Sequence, residues 1–225
     1  VRFMEDVNPP SVGALWRNRK TAWRLLKIRP KSTRSALSQQ VVEEPHLDEL
    51  PTLKCWPEDG GRFVTLPLVM SRDPQTGAGN MGMYRMQVYD QRTTGMHMQL
   101  QKGGGFHYQI AEKAGQPLEM AVAVGGDPSL IIAAIMPLPE GLDEVAFSGI
   151  VRGSRTPLVR AKTVDLNVPA HAEFIFEGIV RPGIRKHEGP FGDHFGHYSA
   201  SADHPVFEIN RITRRKNPIY PATVV

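Results

Sequence analysis

From Leu53 onward the chain is cut into short apolar runs bounded by Gly, Pro or Asp, a texture that restricts it to a fold built from many short strands. The runs fall at residues 62–70, 85–89, 96–100, 120–124, 146–151, 158–162, 173–180 and 207–214. Two stretches predict short helices instead: residues 107–114, and residues 128–135 with Asp127 before the start and Pro137 after the end. The N-terminal part has a different pattern. Between Ser11 and Ile28 the apolar Val12, Leu15, Trp16, Trp23, Leu25, Leu26 and Ile28 are interleaved with Arg17, Arg19, Lys20, Arg24 and Lys27. That spacing predicts an amphipathic helix stopped by Pro30. Residues 30–51 are polar and read as a linker or a wrapping segment. The expected architecture is α+β: a helical N-terminal arm and linker over residues 1–50, then a mainly antiparallel sheet or barrel over residues 51–225.

Composition narrows the functional classes. A hydrophobic content of 40% over 225 residues is enough for a packed core. Twenty-seven Lys and Arg against 23 Asp and Glu leave a net charge of only +4, and the basic residues gather near the N-terminus without interleaved aromatics, so nucleic acid is not an expected partner. Cys55 is the single cysteine, which excludes an internal disulfide and a thiolate-rich metal site. No apolar run is long enough to span a bilayer, and the start lacks both a basic head and an apolar signal core, so the expected location is the cytoplasm. The first residue is Val1 rather than Met, as in a segment of a longer protein.

Several stretches carry residues suited to chemistry. Asn80-Met81-Gly82-Met83-Tyr84-Arg85 follows a turn-rich segment and offers an amide oxygen for a metal and a guanidinium fork for a carboxylate or phosphate. Taken alone, the same residues also describe a turn former and a solvated charge. His97 leads through Met98 and Gln99 to Lys102 and three glycines, a run whose backbone amides suit an anion and which equally describes a flexible turn. Glu140, Asp143 and Glu144 precede an expected strand at Val145. Glu188-Gly189-Pro190-Phe191-Gly192-Asp193 sets two carboxylates five residues apart around a phenylalanine. An acid beside an aromatic wall is partly desolvated, which would raise its pKa toward that of a general acid.

Read together with Cys55-Trp56-Pro57-Glu58-Asp59-Gly60-Gly61, these stretches resemble the UbiD family of prenylated-FMN-dependent decarboxylases in order and spacing, from about Leu47 to the C-terminus. The resemblance implies a split β-barrel flavin-binding domain and non-oxidative, reversible decarboxylation of an aromatic or α,β-unsaturated carboxylic acid. It implies Asn80, His97 and Glu144 as ligands of Mn²⁺ or Mg²⁺, and K⁺ beside Glu144 and the carbonyls near Ala133, Ala134 and Met136. Cofactor contacts would fall on Met83, Tyr84, Arg85, His97, Met98, Gln99, Lys102 and Gly103. The catalytic network would be Glu188, Arg85 and Asp193, with one of the two acids supplying a proton. Family members continue into a C-terminal domain absent from this sequence, which implies a homo-oligomer or a partner chain that completes the pocket, and a flavin prenyltransferase that supplies the cofactor. The other reading is a non-catalytic flavin-binding or assembly subunit that needs a partner chain.

Overall fold

The computed structural model describes residues 29–98, 103–138 and 142–224. The expected helix at residues 11–28 lies outside them, as do Gln99 and Lys102. The described fold is mixed α and β with mostly antiparallel sheets. Twelve strands are described: β1 (Lys31–Ser32), β2 (Val41–Glu43), β3 (Phe63–Val64), β4 (Pro67–Arg72), β5 (Gly79–Met83), β6 (Met86–Gln87), β7 (Thr93–Gly95), β8 (Leu118–Val124), β9 (Pro157–Arg160), β10 (Asn167–Pro169), β11 (Phe174–Glu188) and β12 (Ala202–Arg214). Three α-helices accompany them: α1 (Gly103–Lys113), α2 (Pro128–Ile135) and α3 (Glu144–Arg152). No helix among the described residues is long and apolar enough to cross a membrane.

The main sheet runs β2-β12-β11-β8-β4-β5, with β7 also pairing β12, and all its pairings are antiparallel. Both faces are covered, and β8 shows why. Its alternating residues Met120, Val122 and Val124 join one buried cluster with Phe176, Phe207 and the α1 residues Tyr108 and Ala111. Ala121 and Ala123, pointing the other way, join a second cluster with Leu130 of α2 and Val159 and Val168 of the small sheet β1-β9-β10. The segment before Pro51 wraps the domain: β2 extends the main sheet along β12, and β1 pairs β9 in parallel.

Most expected elements are present, with two corrections. Residues 146–151 are helix, not strand. A mostly apolar run of six residues does not distinguish the two, and the ends decide: the Asp143 carboxylate accepts from the Val145 and Ala146 amides at 2.8 and 3.3 Å, and Gly153 closes the helix at φ 73°. Residues 96–98 are not a strand either; after β7 the chain crosses β12 through one bond from the Met96 amide to the Pro205 carbonyl, 2.9 Å.

β11 is longer than expected, and its second half leaves the sheet. β8 pairs it only from Phe174 to Val180, whereas its pairing with β12 resumes at Arg185↔Pro205 and continues to Glu188↔Ala202. Between those stretches Arg181, Pro182, Gly183 and Ile184 face Val206 alone, a deep bulge in which Gly183 takes φ 72°. Glu188 therefore sits at the end of a two-stranded ribbon.

Candidate active site

Glu188 is the centre of the site. Its side chain is 1% exposed, and Oε1 accepts from Arg85 Nε at 3.0 Å and Nη2 at 2.9 Å. His97 Nδ1 stands 2.9 Å from the same oxygen. An ionised carboxylate only accepts, so Nδ1 carries the shared hydrogen. Arg85 also donates to Ser199 Oγ at 3.0 Å and lies over the Phe191 ring, 4.7 Å from its centroid. His204 of β12 stacks on His97 with ring centroids 4.3 Å apart. Burial pushes the Glu188 carboxyl up, but the His97 hydrogen bond and the Arg85 charge outweigh it and hold the pKa below the usual carboxylate value. The expected upward shift is thus reversed, because Phe191 lies under Arg85 instead of isolating the acid. Tyr89 is pushed up to about 12, first by burial and then by the charges of Glu188 and Asp203.

The rest of the stretch that carries Glu188 is fixed by residues 55–61. Buried Asp59 accepts from the Cys55 and Trp56 amides through Oδ2, at 3.0 and 2.9 Å, and from the Gly192 amide through Oδ1, at 2.8 Å. Gln87 bridges the same two segments: its amide donates to the Gly60 carbonyl and its oxygen accepts from Gly189, both at 2.8 Å. Gly60 and Gly189 approach so closely that a Cβ on either would stand 2.4 Å from the other's Cα. Asp193, expected in the network, is not joined to it. It is partly exposed and closes its own turn, accepting from the Phe195 and His197 amides at 2.9 and 3.2 Å, and the His197 backbone bond is the main cause of its lowered pKa.

A second group forms where β5, α1 and α3 begin to meet. Glu144, first residue of α3, accepts from the Met81 amide at 3.1 Å, and burial raises its pKa despite that bond. The Asn80 amide oxygen, next to Met81, accepts from the Met81 and Gly104 amides, both at 3.3 Å. Asn80 and Glu144 thus bring an amide and a carboxylate group to the same Met81 amide, the kind of oxygen donors a hard cation takes. The glycines of α1 make room for side chains: a Cβ on Gly103 would stand 1.9 Å from Asn80 Oδ1, and the Gly104 amide donates to the Tyr84 hydroxyl at 3.1 Å. Tyr84 and Met98 are packed in the core, and Met83 is partly buried. His97, expected with Asn80 and Glu144, is held by Glu188 and His204.

A family model described as UbiD, 3-octaprenyl-4-hydroxybenzoate carboxy-lyase Rift-related domain, matches residues 29–225. The chain belongs to the UbiD family. An uncharacterised protein of Archaeoglobus fulgidus is 53% identical over 197 residues, covering 87% of this chain and 41% of that protein. A Chlamydia pneumoniae protein named as a subunit of 4-hydroxybenzoate decarboxylase is 44% identical over 219 residues, covering 96% and 37%. An evolved dimeric form of the UbiD-class enzyme HmfF from Pelotomaculum thermopropionicum, in complex with prFMN, superposes with a TM-score of 0.82 at 30% identity, covering 89% of this chain and 50% of that one. The vanillic acid decarboxylase ShVdcCD of Sedimentibacter hydroxybenzoicus, in closed form, gives 0.84 at 28% identity, covering 94% and 47%. The chain spans about two-fifths of the length of the curated relatives it matches.

In this UbiD domain the residues expected beside a monovalent ion lie at the C-terminal end of α2: Ala133 and Ala134 in its last turn, where helix carbonyls lack intrahelical partners, and Met136 as its cap, whose carbonyl accepts from the Leu138 amide at 2.8 Å. Four contributors were not expected from sequence. Asp59 and Gln87 fix the Glu188 stretch, Ser199 shares Arg85, and His204 stacks on His97. Only Asp59 had a sequence signal, the Asp-Gly-Gly turn at residues 59–61.

Proposed function

We propose that this domain holds the cofactor and the acid–base group of a non-oxidative decarboxylase acting on an aromatic or α,β-unsaturated carboxylic acid. The observation that carries the reading is the pairing of half-buried Arg85 with buried Glu188, with His97 on the same oxygen. Prenylated FMN, when bound, supplies the electron sink that loss of CO₂ from an sp² carbon requires. Asn80 and Glu144 present amide and carboxylate oxygens that suit Mn²⁺ or Mg²⁺, and the carbonyls of Ala133 and Ala134 in the last turn of α2, with that of Met136 after it, suit K⁺ beside Glu144. His97 would be the nitrogen ligand of that divalent ion, its ring then turned away from Glu188. The flavin contacts, in the same proposal, are Met83, Tyr84, Arg85, His97, Met98 and Gly103, within a split-barrel arrangement of the sheet, together with Gln99 and Lys102 outside the described residues.

The residues suggest how a proton is handled. Glu188 rests ionised because Arg85 and His97 stabilise its charge. A substrate carboxylate binding Arg85 competes for the guanidinium, so Glu188 loses part of that stabilisation and its affinity for a proton rises. Once protonated, it can deliver the proton to the carbon that CO₂ leaves, and Arg85 then recovers its partner. Asp193, from its turn, is the alternative donor if the pocket closes over it.

The test is the decarboxylase made of the full chain. Glu188→Gln or Arg85→Ala is expected to abolish turnover of a reconstituted enzyme while circular dichroism is unchanged; turnover retained in both variants sinks the proposal. A second reading, a flavin-binding or assembly subunit, is favoured by the relative named as one subunit of a decarboxylase. It predicts that adding the rest of the polypeptide restores cofactor binding but not turnover.

A further inference from the structure

One oxygen of Glu188 has no use in the arrangement above. Oε1 takes Arg85 and His97, whereas Oε2 is buried with no hydrogen-bond partner among the described residues. The neighbour that changes the chemistry is His204. It stands on the β11–β12 ribbon two rungs from Glu188, and the bond from Met96 to Pro205 brings its ring against His97. One ligating atom from each of His97, Glu188 and His204 lies within 4.8 Å of the other two.

We propose that His97, Glu188 and His204 bind a late first-row divalent cation of the zinc class, and that this ion takes Glu188 out of proton transfer. Two imidazoles and one carboxylate are a borderline donor set that suits Zn²⁺, Co²⁺ or Ni²⁺ and leaves coordination positions for water. Metal–ligand bonds of about 2.0–2.2 Å place ligand atoms roughly 3.3 Å apart in a tetrahedral site, so small side-chain rotations close the observed spacing. The ion fills the need of Oε2 directly, while Oε1 stays with Arg85; His97 ligates through its unprotonated Nε2, or through Nδ1 once the hydrogen shared with Oε1 has moved to Nε2. The set shares His97 with the proposed Asn80–Glu144 site but uses none of its oxygens, which favour harder ions. Arg85 is the charge that opposes it. The guanidinium is kept nearby by Ser199 and Phe191 even if Glu188 turns, so the ion binds against a fixed positive neighbour. Tyr89 faces the cluster uncharged, and the Asp203 carboxylate beside His204 partly offsets Arg85.

The binding half of the proposal stands on geometry alone; the inhibitory half rests on Glu188 acting as proposed above. The full chain, free of cofactor, is titrated with Zn²⁺ by calorimetry and with Co²⁺ by visible absorption. His204→Ala is expected to weaken binding about tenfold or more, since losing even an outer partner of a ligand costs 10–100-fold. Asn80→Ala should leave it unchanged, and Arg85→Met should tighten it. Zinc binding that ignores His204→Ala, or no binding by the unaltered chain, overturns the site. Should His204→Ala fail to fold, ¹⁵N NMR of the unaltered chain decides: zinc must move the imidazole nitrogens of both His97 and His204, and unmoved signals overturn the site. With reconstituted enzyme, zinc should inhibit the unaltered protein more strongly than His204→Ala. Zinc bound at this site without inhibition would leave the site standing and remove Glu188 from the mechanism.

Discussion

Asp59 makes the position of the catalytic candidate depend on a residue that has no chemistry of its own. It gathers three backbone amides from two segments, reaching 133 positions along the chain to Gly192. Asp59→Ala removes the acceptor those amides share, at a cost of about 2–4 kcal/mol in urea unfolding. Asp59→Asn, which keeps one acceptor, should lose less. Equal stability for the unaltered protein and Asp59→Ala would show that water takes over the role. The neighbouring contact is just as strict, because Gly60 and Gly189 leave no space for a methyl group. What the motif at residues 55–61 supplies is thus a rigid bracket for Glu188.

At the scale of elements, α1 is joined to the ribbon by ions. Arg185 grips Glu112 with two nitrogens, at 2.8 and 2.9 Å, and the same carboxylate accepts from the Gly183 amide and the Tyr108 hydroxyl, both at 2.9 Å. The Arg185 bonds are the main reason that the Glu112 pKa falls from 4.5 to about 2. A carboxyl with a depressed folded-state pKa stabilises the fold above its unfolded value and loses that contribution as pH falls through the folded one. Between pH 4.5 and 2 the unaltered protein should therefore lose stability that Glu112→Gln never had. With about 1 kcal/mol for a partly exposed pair, the two melting temperatures should differ by about 2–4 °C at about pH 6 and converge near pH 2. A constant gap would refute the assignment. The elements also mark where sequence reading ran out. α2 was legible from Asp127 and Pro128 at its start, but the caps of α3, Asp143 and Gly153, were outweighed by a mostly apolar run of six residues that fits a strand equally well. The partners Arg85 and Glu188 were legible as chemistry within their own motifs, yet their contact spans 103 positions, and only the sheet brings them together. His204 carries no local pattern, since its meaning comes from pairing across the ribbon. The pKa of Glu188 was misjudged for the same reason: it depends on His97 and Arg85, which are distant in sequence.

Across the whole molecule, protection from exchange should follow the layers. β8 has partners on both sides and buried clusters on both faces, so its amides should exchange slowest in hydrogen–deuterium mass spectrometry. The ribbon from Arg185 to Glu188 and its partner from Ala202 to Pro205 should exchange faster; the reverse order would contradict the layering. The bulge at residues 181–184 gives that difference a longer-term meaning. Because in the strand register four residues there stand opposite Val206 alone, the ribbon's length and pitch are set apart from the register of the sheet, with Glu112 of α1 as the tie at Gly183. Insertions or deletions in the bulge can re-aim Glu188 and His204 together without unpicking a core strand. A lineage, or a designer, could thus try new acid positions on an unchanged scaffold, one residue at a time.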